Sequence, residues 1–101
     1  MNGLVLDITW NPTKAQTNLA KHGVSFTQAA TVLLDPLALT VFDTAHSEDE
    51  ERWFTLGVCG EKLLAVTHTY QSTGPNSARV RIISAREATH RERQQYENEP
   101  R

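Results

Sequence analysis

Three β-rich segments follow one another in the second half of the chain with only short connections between them. They are Trp53–Cys59, Leu63–Tyr70 and Ala78–Ser84. Gly60-Glu61 provides a tight turn after the first segment, and residues 71–77 contain Gly, Pro and Asn, which favour a loop. Strands joined this closely pair antiparallel, because a parallel pair needs a long crossover. The pattern therefore constrains the chain to a fold built on an antiparallel sheet.

Two short helices are predicted before these strands. Asn11-Pro12 is a typical helix start, and Gly23 is a typical end because glycine tolerates the left-handed C′ position. Ser25 caps the second helix, which Asp35-Pro36 stops. The predicted buried faces are Ala15, Leu19 and His22 in the first helix, and Phe26, Ala29, Ala30, Val32 and Leu33 in the second. The pair predicts a helical hairpin that covers the sheet.

The remaining segments complete a single domain over residues 1–101. Strands are predicted over Leu4–Thr9 and Leu37–Phe42, a polar loop or helical turn over His46–Arg52, and a C-terminal helix over Ala85–Glu97. The predicted fold class is α+β, with the helical hairpin packed on one side of a curved antiparallel sheet of about four strands. The other face, or one edge, would remain open to a ligand.

Composition excludes several classes of protein. Apolar residues make up 39% of the chain and charged residues 22%, as in ordinary globular proteins. No apolar run approaches the roughly 20 residues of a membrane helix, and the first ten residues do not resemble a secretion signal. The single Cys59 cannot form an internal disulfide or a cysteine-rich zinc site. We expect a cytoplasmic protein without a cofactor.

Charge is unevenly distributed along the chain. The formal net charge is -2, so the chain is not a uniformly basic nucleic-acid binder. Residues 35–51 contain six acids and no Lys or Arg, whereas residues 79–93 contain five arginines. Charge alone favours two solvated faces. The alternative is an anion-binding site built by the C-terminal part of the chain.

The alternation of the last strand suggests where such a site would lie. Arg79 and Arg81 point away from its apolar face, and His68 and Tyr70 share one side of the preceding strand. Both sides of that strand are partly apolar, so the pattern does not orient His68. If the strands pair, all four side chains could form one patch. Such a patch suits metal-independent cleavage of RNA by its own 2′-OH, since guanidinium groups bind phosphate, imidazole transfers protons and a phenol ring stacks on a base.

Alternative interpretations are open at this point. Periodicity alone favours solvent-exposed strand arginines beside a histidine that is hydrogen-bonded in the core. Asp43, His46 and His68 could be metal ligands, but their spacing matches no metal motif. His46-Ser47 followed by four acids is typical of a helix N-terminus, which is a structural interpretation.

Motifs along most of the chain resemble the BrnT toxins. They are Trp10-Asn11-Pro12, Lys14, Asn18, Lys21-His22-Gly23-Val24-Ser25-Phe26, Ala29-Ala30 and Asp35-Pro36-Leu37-Ala38, then His46-Ser47, Glu50-Glu51-Arg52 and Gly57, and finally Arg81-Ile82-Ile83-Ser84-Ala85-Arg86, Ala88-Thr89, Arg91-Glu92-Arg93 and Tyr96. The chain departs from the pattern mainly at residues 71–77, where we expect a short turn and find a longer Gly-Pro-Asn segment beside the predicted site.

The resemblance implies a RelE-like ribonuclease toxin of a type II toxin–antitoxin system. A BrnA-type protein antitoxin would neutralise it in a hetero-oligomer that contacts operator DNA only through the antitoxin. The implied catalytic positions are His46, Glu51, Arg52, His68, Arg79 and Arg81, and the predicted RNA-binding positions are Lys14, Lys21, Lys62, Tyr70 and Arg86. The competing hypothesis is a non-catalytic partner and co-repressor of a DNA-binding antitoxin, which the overall acidity favours.

Overall fold

The computed structural model describes residues 4–44 and 50–100. The strands are β1 (Val5–Thr9), β2 (Leu39–Phe42), β3 (Trp53–Cys59), β4 (Lys62–His68), β5 (Gln71–Gly74) and β6 (Ser77–Glu87), and the helices are α1 (Pro12–His22), α2 (Phe26–Val32) and α3 (His90–Asn98). The fold is α+β, as predicted. None of the helices described is long and apolar enough to cross a membrane.

The sheet has six strands and is mixed. Its order is β1-β6-β4-β3-β2, with β5 also paired to β6. All the pairs are antiparallel except β1 with β6, which is parallel. The prediction of an antiparallel sheet of about four strands is therefore wrong. Short connections require antiparallel pairing only between strands that are neighbours in sequence. Most of the chain lies between β1 and β6 and serves as the crossover that a parallel pair needs.

The long strand β6 explains two further differences from the predictions. Its 11 residues pair with β1 and β5 in the first half and with β4 in the second. Residues 71–77 were predicted to be a loop, but four of them form β5, because β6 offers an unpaired edge there. Pairing with β4 also extends β6 to Glu87, so α3 begins at His90 rather than at Ala85.

Local signals set both ends of α1 and the start of α2 as predicted, whereas α2 ends at Val32, before the predicted stop at Asp35-Pro36. The Asn11 side chain accepts a hydrogen bond from Lys14 N at 3.1 Å, and Gly23 ends α1 with φ 70°. Ser25 and Gln28 form a capping box at α2, and Thr89 and Glu92 form another at α3. Each of these boundaries is determined by side chains within one turn of it, and the sequence predicts those at Asn11, Gly23 and Ser25 but not the one at Thr89.

The buried face of α1 differs from the apolar stripe predicted for it. Leu19 is 51% exposed, and the buried residue of α1 is Asn18. The Asn18 amide donates to Val24 O at 3.0 Å and to Ala85 O at 2.8 Å, and its oxygen accepts from Ala85 N at 3.1 Å. Hydrophobic periodicity cannot find such a position, because a polar side chain here fixes α1 to β6.

Helices cover both faces of the sheet, rather than one as predicted. The helix pair α1 and α2 packs on what we call the helix-pair face, which carries the core side chains Leu64, Val66, Val80 and Ile82. The C-terminal helix α3 packs against β3 on the opposite face, which we call the α3 face. There Leu39 and Val41 of β2 lie beside Arg91 and Gln95 of α3.

Candidate functional site

A register shift in the sheet decides which way the predicted site residues point. Between Thr67 and His68 the pairing of β4 with β6 shifts, so that His68 lies opposite Ile82. Paired residues in an antiparallel sheet share a face, and Ile82 is a core residue of the helix-pair face. His68 therefore also points to the helix-pair face.

Arg79 and Arg81 point to the other face. They alternate with the buried Ala78, Val80 and Ile82 along β6, and both are exposed. The prediction that they face outward is confirmed, but the prediction of one patch with His68 is wrong. The sequence left the orientation of His68 open because both sides of β4 are apolar.

His68 is held by hydrogen bonds at both ring nitrogens. It is 3% exposed, with Nδ1 2.9 Å from Thr69 O and Nε2 2.7 Å from Thr55 Oγ1. A carbonyl oxygen only accepts, so Nδ1 carries the proton and Nε2 of the neutral ring accepts from the Thr55 hydroxyl. Burial lowers the pKa of His68, with the bond to Thr69 opposing the shift. The imidazole is therefore neutral at physiological pH.

His68 forms the floor of a cleft on the helix-pair face, which we call the aromatic cleft. Its two connected parts have volumes of 270 and 160 Å³ and share Thr40, His68 and Tyr70. The other lining residues are Leu4, Leu6, Leu33, Ala38, Thr55 and Val80 in the larger part and Trp53 in the smaller. The Thr40 hydroxyl lies 2.8 Å from that of Thr55 and continues the hydrogen-bonded line from His68. His68 and Tyr70 therefore lie close together, as predicted, but Arg79 and Arg81 do not lie with them.

Arg79 and Arg81 form exposed ion pairs on the α3 face. Arg79 Nε lies 3.4 Å from Asp7 Oδ2, and Arg81 Nη2 lies 2.6 Å from Glu50 Oε1. The side chains of the two arginines are 57% and 46% exposed. Pairs exposed to this degree contribute about 0–1 kcal/mol, so another anion can replace either carboxylate at little cost.

The backbone beneath Arg81 is more firmly held than its side chain. Arg81 N donates to Thr69 Oγ1 at 3.0 Å, and Thr69 N donates to Arg81 O at 2.9 Å. Thr69 O in turn accepts from His68, which links the buried imidazole to the arginine across the sheet. The arrangement fixes the base of the Arg81 side chain and leaves its guanidinium group free to exchange partners.

Arg86 occupies a different environment on the α3 face. Its guanidinium donates to both Glu92 oxygens, at 2.8 and 3.0 Å, and lies over the Phe54 ring at 5.7 Å. The pair lowers the pKa of Glu92 and raises that of Arg86, chiefly through these hydrogen bonds. Bidentate geometry of this kind favours docking of α3 over contact with a ligand.

The other predicted site residues are dispersed. Lys14 and Lys21 are exposed on α1, Lys62 is exposed at the start of β4, Glu51 is exposed, and Arg52 is half-buried just before β3. His46 lies outside the described residues. Within residues 4–44 and 50–100, no group of three or more His, Cys, Asp or Glu side chains could hold a metal ion.

Sequence reasoning missed four residues that define these surfaces. Asp7 and Glu50 accept from the two arginines, and Thr55 and Thr69 hold His68. Glu50 belongs to the acid-rich residues 35–51, for which the sequence predicts only a solvated face. Asp7 alternates with Leu6 and Ile8 in β1, but its proximity to Arg79 depends on the parallel β1–β6 pairing, which the sequence does not show.

Residues 10–92 match the model of a family described as ribonuclease toxins of type II toxin–antitoxin systems. The chain belongs to this family, the BrnT toxins. Family membership implies a protein antitoxin as partner. No individual curated protein matches the chain.

Proposed function

We propose that the chain is an endoribonuclease with a RelE-like fold that cleaves RNA by attack of its 2′-OH, without a metal ion. A BrnA-type antitoxin neutralises it in a hetero-oligomer, and operator DNA is contacted only through that antitoxin. The observation that carries the proposal is the pair of exposed arginines on one face of β6 in a member of a ribonuclease toxin family. Guanidinium groups supply the positive charge that a metal ion would otherwise bring to the phosphate.

Arg79 and Arg81 are the proposed phosphate contacts. They are two residues apart on one strand face, so their guanidinium groups can reach neighbouring oxygens of one backbone segment. The phosphate replaces Asp7 and Glu50 as their partner. Because RNA carries a negative charge at every nucleotide, an RNA strand lying across this face can replace both carboxylates and pair its phosphates with both arginines.

Carboxylates beside Arg81 are the proposed proton acceptors. Glu50 lies 2.6 Å from Arg81, and the exposed Glu51 follows it in the chain. A carboxylate released from Arg81 by the incoming phosphate lies near the 2′-OH and can take its proton. The resemblance adds Arg52 and His46 as further catalytic positions, and in this proposal Arg52 serves as a further cation and His46 protonates the leaving 5′ oxygen.

His68 takes a positioning role in this proposal instead of the predicted acid–base role. Its ring nitrogens are occupied by Thr55 and Thr69, and it points to the face opposite the arginines. Through Thr69 it fixes the backbone of Arg81. Lys14, Lys21, Lys62 and Tyr70 remain predicted RNA contacts, although they do not share the α3 face with Arg79 and Arg81. Arg86 does share that face, but its bidentate pair with Glu92 favours docking of α3 over the predicted RNA contact.

The test is cleavage of a defined RNA by the purified chain in EDTA. We expect products with 2′,3′-cyclic phosphate and 5′-hydroxyl ends, because the 2′ oxygen displaces the 5′ oxygen. The matched control is the same RNA with a 2′-deoxy nucleotide at the cleaved position, which should resist cleavage. Cleavage that stops in EDTA, or that continues at the 2′-deoxy position, contradicts the mechanism. A folded chain that never cleaves RNA supports the non-catalytic co-repressor instead.

A further inference from the structure

The strand β5 extends the α3 face on one side of the arginines. It forms from part of residues 71–77, where the chain departs from the BrnT pattern. Its first residue, Gln71, lies directly opposite Arg79 of β6, and on the other side of β6 Arg79 lies opposite Asp7 of β1. Side chains at paired positions share a face of the sheet. The α3 face therefore carries a row of three side chains, with an acid on one side of Arg79 and a neutral amide on the other.

The amide of Gln71 is free to bind a ligand, whereas the hydroxyl groups two residues before and after it are engaged. Thr69 Oγ1 accepts from Arg81 N at 3.0 Å. Thr73 Oγ1 donates to Ser77 Oγ at 2.9 Å. The Gln71 side chain is exposed, and its amide forms no hydrogen bond with any residue that the structure describes. It can therefore offer both a donor and an acceptor to a bound molecule.

The charges in this row decide on which side of Arg79 a nucleotide places its base. Phosphate contacts hold an RNA strand in position but do not distinguish sequences, which are read at the edges of the bases. Neighbouring strands are about 5 Å apart, so a nucleotide whose phosphate lies on Arg79 has its base beside either Asp7 or Gln71. The Asp7 carboxylate repels the phosphates that flank a base on its side, whereas the Gln71 amide carries no charge. The base therefore lies beside Gln71.

Among the four bases, adenine matches a glutamine amide best. The amide presents its donor and acceptor side by side, and glutamine pairs in this way with N6 and N7 of adenine. Adenine also presents a donor beside an acceptor at N6 and N1, so both its Hoogsteen and its Watson–Crick edges fit. The Hoogsteen edge of guanine has two acceptors, and cytosine and uracil have a suitable pair on one edge only. Both edges are accessible in single-stranded RNA.

We propose that Gln71 is a specificity-determining residue that reads the base beside the phosphate bound by Arg79 and prefers adenine. The inference rests on the proposed ribonuclease function, because that function supplies the RNA and the phosphate contact at Arg79. It requires neither the proposed proton acceptors nor cleavage itself, so it can be tested by binding alone.

The test measures RNA binding by the full chain under conditions in which cleavage cannot occur. Four single-stranded uridine RNAs differ only in one central nucleotide, which is A, C, G or U. They carry 2′-fluoro groups, so no 2′-OH is present to attack the phosphate. Fluorescence anisotropy gives the four dissociation constants. We expect the wild type to bind the RNA with adenine at least about fivefold more tightly than each of the other three.

Two matched variants separate base reading from other effects of a substitution. Gln71→Met keeps the length of the side chain but removes both hydrogen-bonding groups, and it should reduce the preference for adenine to less than about twofold. Gln16→Met makes the same substitution at an exposed glutamine of α1, on the opposite face of the sheet, and should retain the preference. Thermal unfolding checks that each variant is folded.

Several results would overturn the role of Gln71. They are equal affinities for the four RNAs, a preference for another base, and a preference that Gln71→Met leaves unchanged. A preference lost in Asp7→Asn but kept in Gln71→Met would place the base on the β1 side and would also overturn it. Arg79→Ala should weaken binding of all four RNAs alike, because a phosphate contact carries no sequence information. That general loss without any base preference contradicts the role of Gln71 alone, whereas unchanged affinity of Arg79→Ala, or no RNA binding by the wild type, contradicts the proposed function as well.

Discussion

Replacing His68 tests whether this residue is a buried positioning residue or a catalytic base. The wild-type imidazole is neutral and hydrogen-bonded to Thr55 and Thr69, and burial lowers its pKa below the ordinary 6.5. The unfolded chain therefore takes up a proton as the pH falls below about 6.5, while the folded chain does not. The contribution of neutral His68 to the free energy of unfolding is fully present above that pH, and it is lost as the pH falls toward the pKa of the folded state.

The size of this loss follows from proton linkage. One proton bound only by the unfolded state lowers the free energy of unfolding by up to about 1.4 kcal/mol per pH unit. His68→Asn keeps an amide that can donate to Thr69 O but cannot titrate. We expect the variant to lose about 1–2 kcal/mol at neutral pH, because the bond to Thr55 is lost, and to show a shallower decline below about pH 6.5.

Urea unfolding between about pH 5 and pH 8 measures the effect. His90→Asn is the matched control, because it makes the same substitution at a histidine that is exposed on α3. Identical pH slopes for wild type and His68→Asn would refute the linkage. A change in the shape of the pH profile of kcat, rather than only its height, would show that His68 transfers protons and would contradict its positioning role.

Three further substitutions test the packing that supports the site. Asn18→Ala removes three buried hydrogen bonds and should lower the free energy of unfolding by about 3 kcal/mol, whereas a loss below about 1 kcal/mol would contradict its role. Gly57→Ala places a Cβ 2.8 Å from Val32 Cγ1 and 3.0 Å from Val32 O, so it should cost about 1–3 kcal/mol in denaturant unfolding, and an unchanged midpoint would exclude this contact. Arg86→Ala removes the bidentate pair with Glu92 and should speed hydrogen exchange of α3 amides, which unchanged protection would disprove.

Features determined by neighbouring residues could be predicted from the sequence. The caps at Asn11, Ser25 and Gly23 depend on contacts within one helical turn. The outward direction of Arg79 and Arg81 follows from strict alternation with buried residues along β6. None of these features depends on which residues lie on the neighbouring strands of the sheet.

Features that depend on distant partners could not be predicted in this way. The register shift before His68 and the parallel pairing of β1 with β6 are decided by strands far apart in sequence. β5 forms only because β6 extends beyond β4. Asn18 is buried because it satisfies the backbone of Ala85, 67 residues away, and nothing in the local pattern distinguishes it from a surface polar residue.

The most direct test of the arginine face compares RNA cleavage by Arg81→Ala and Arg93→Ala. Arg81 and Arg93 have 46% and 48% of their side chains exposed and each pairs with a glutamate, but only Arg81 lies on β6. The account predicts that Arg81→Ala lowers kcat/KM by at least about tenfold and weakens its salt dependence by about one phosphate contact, while Arg93→Ala retains both. Equal activity of the two folded variants would contradict it.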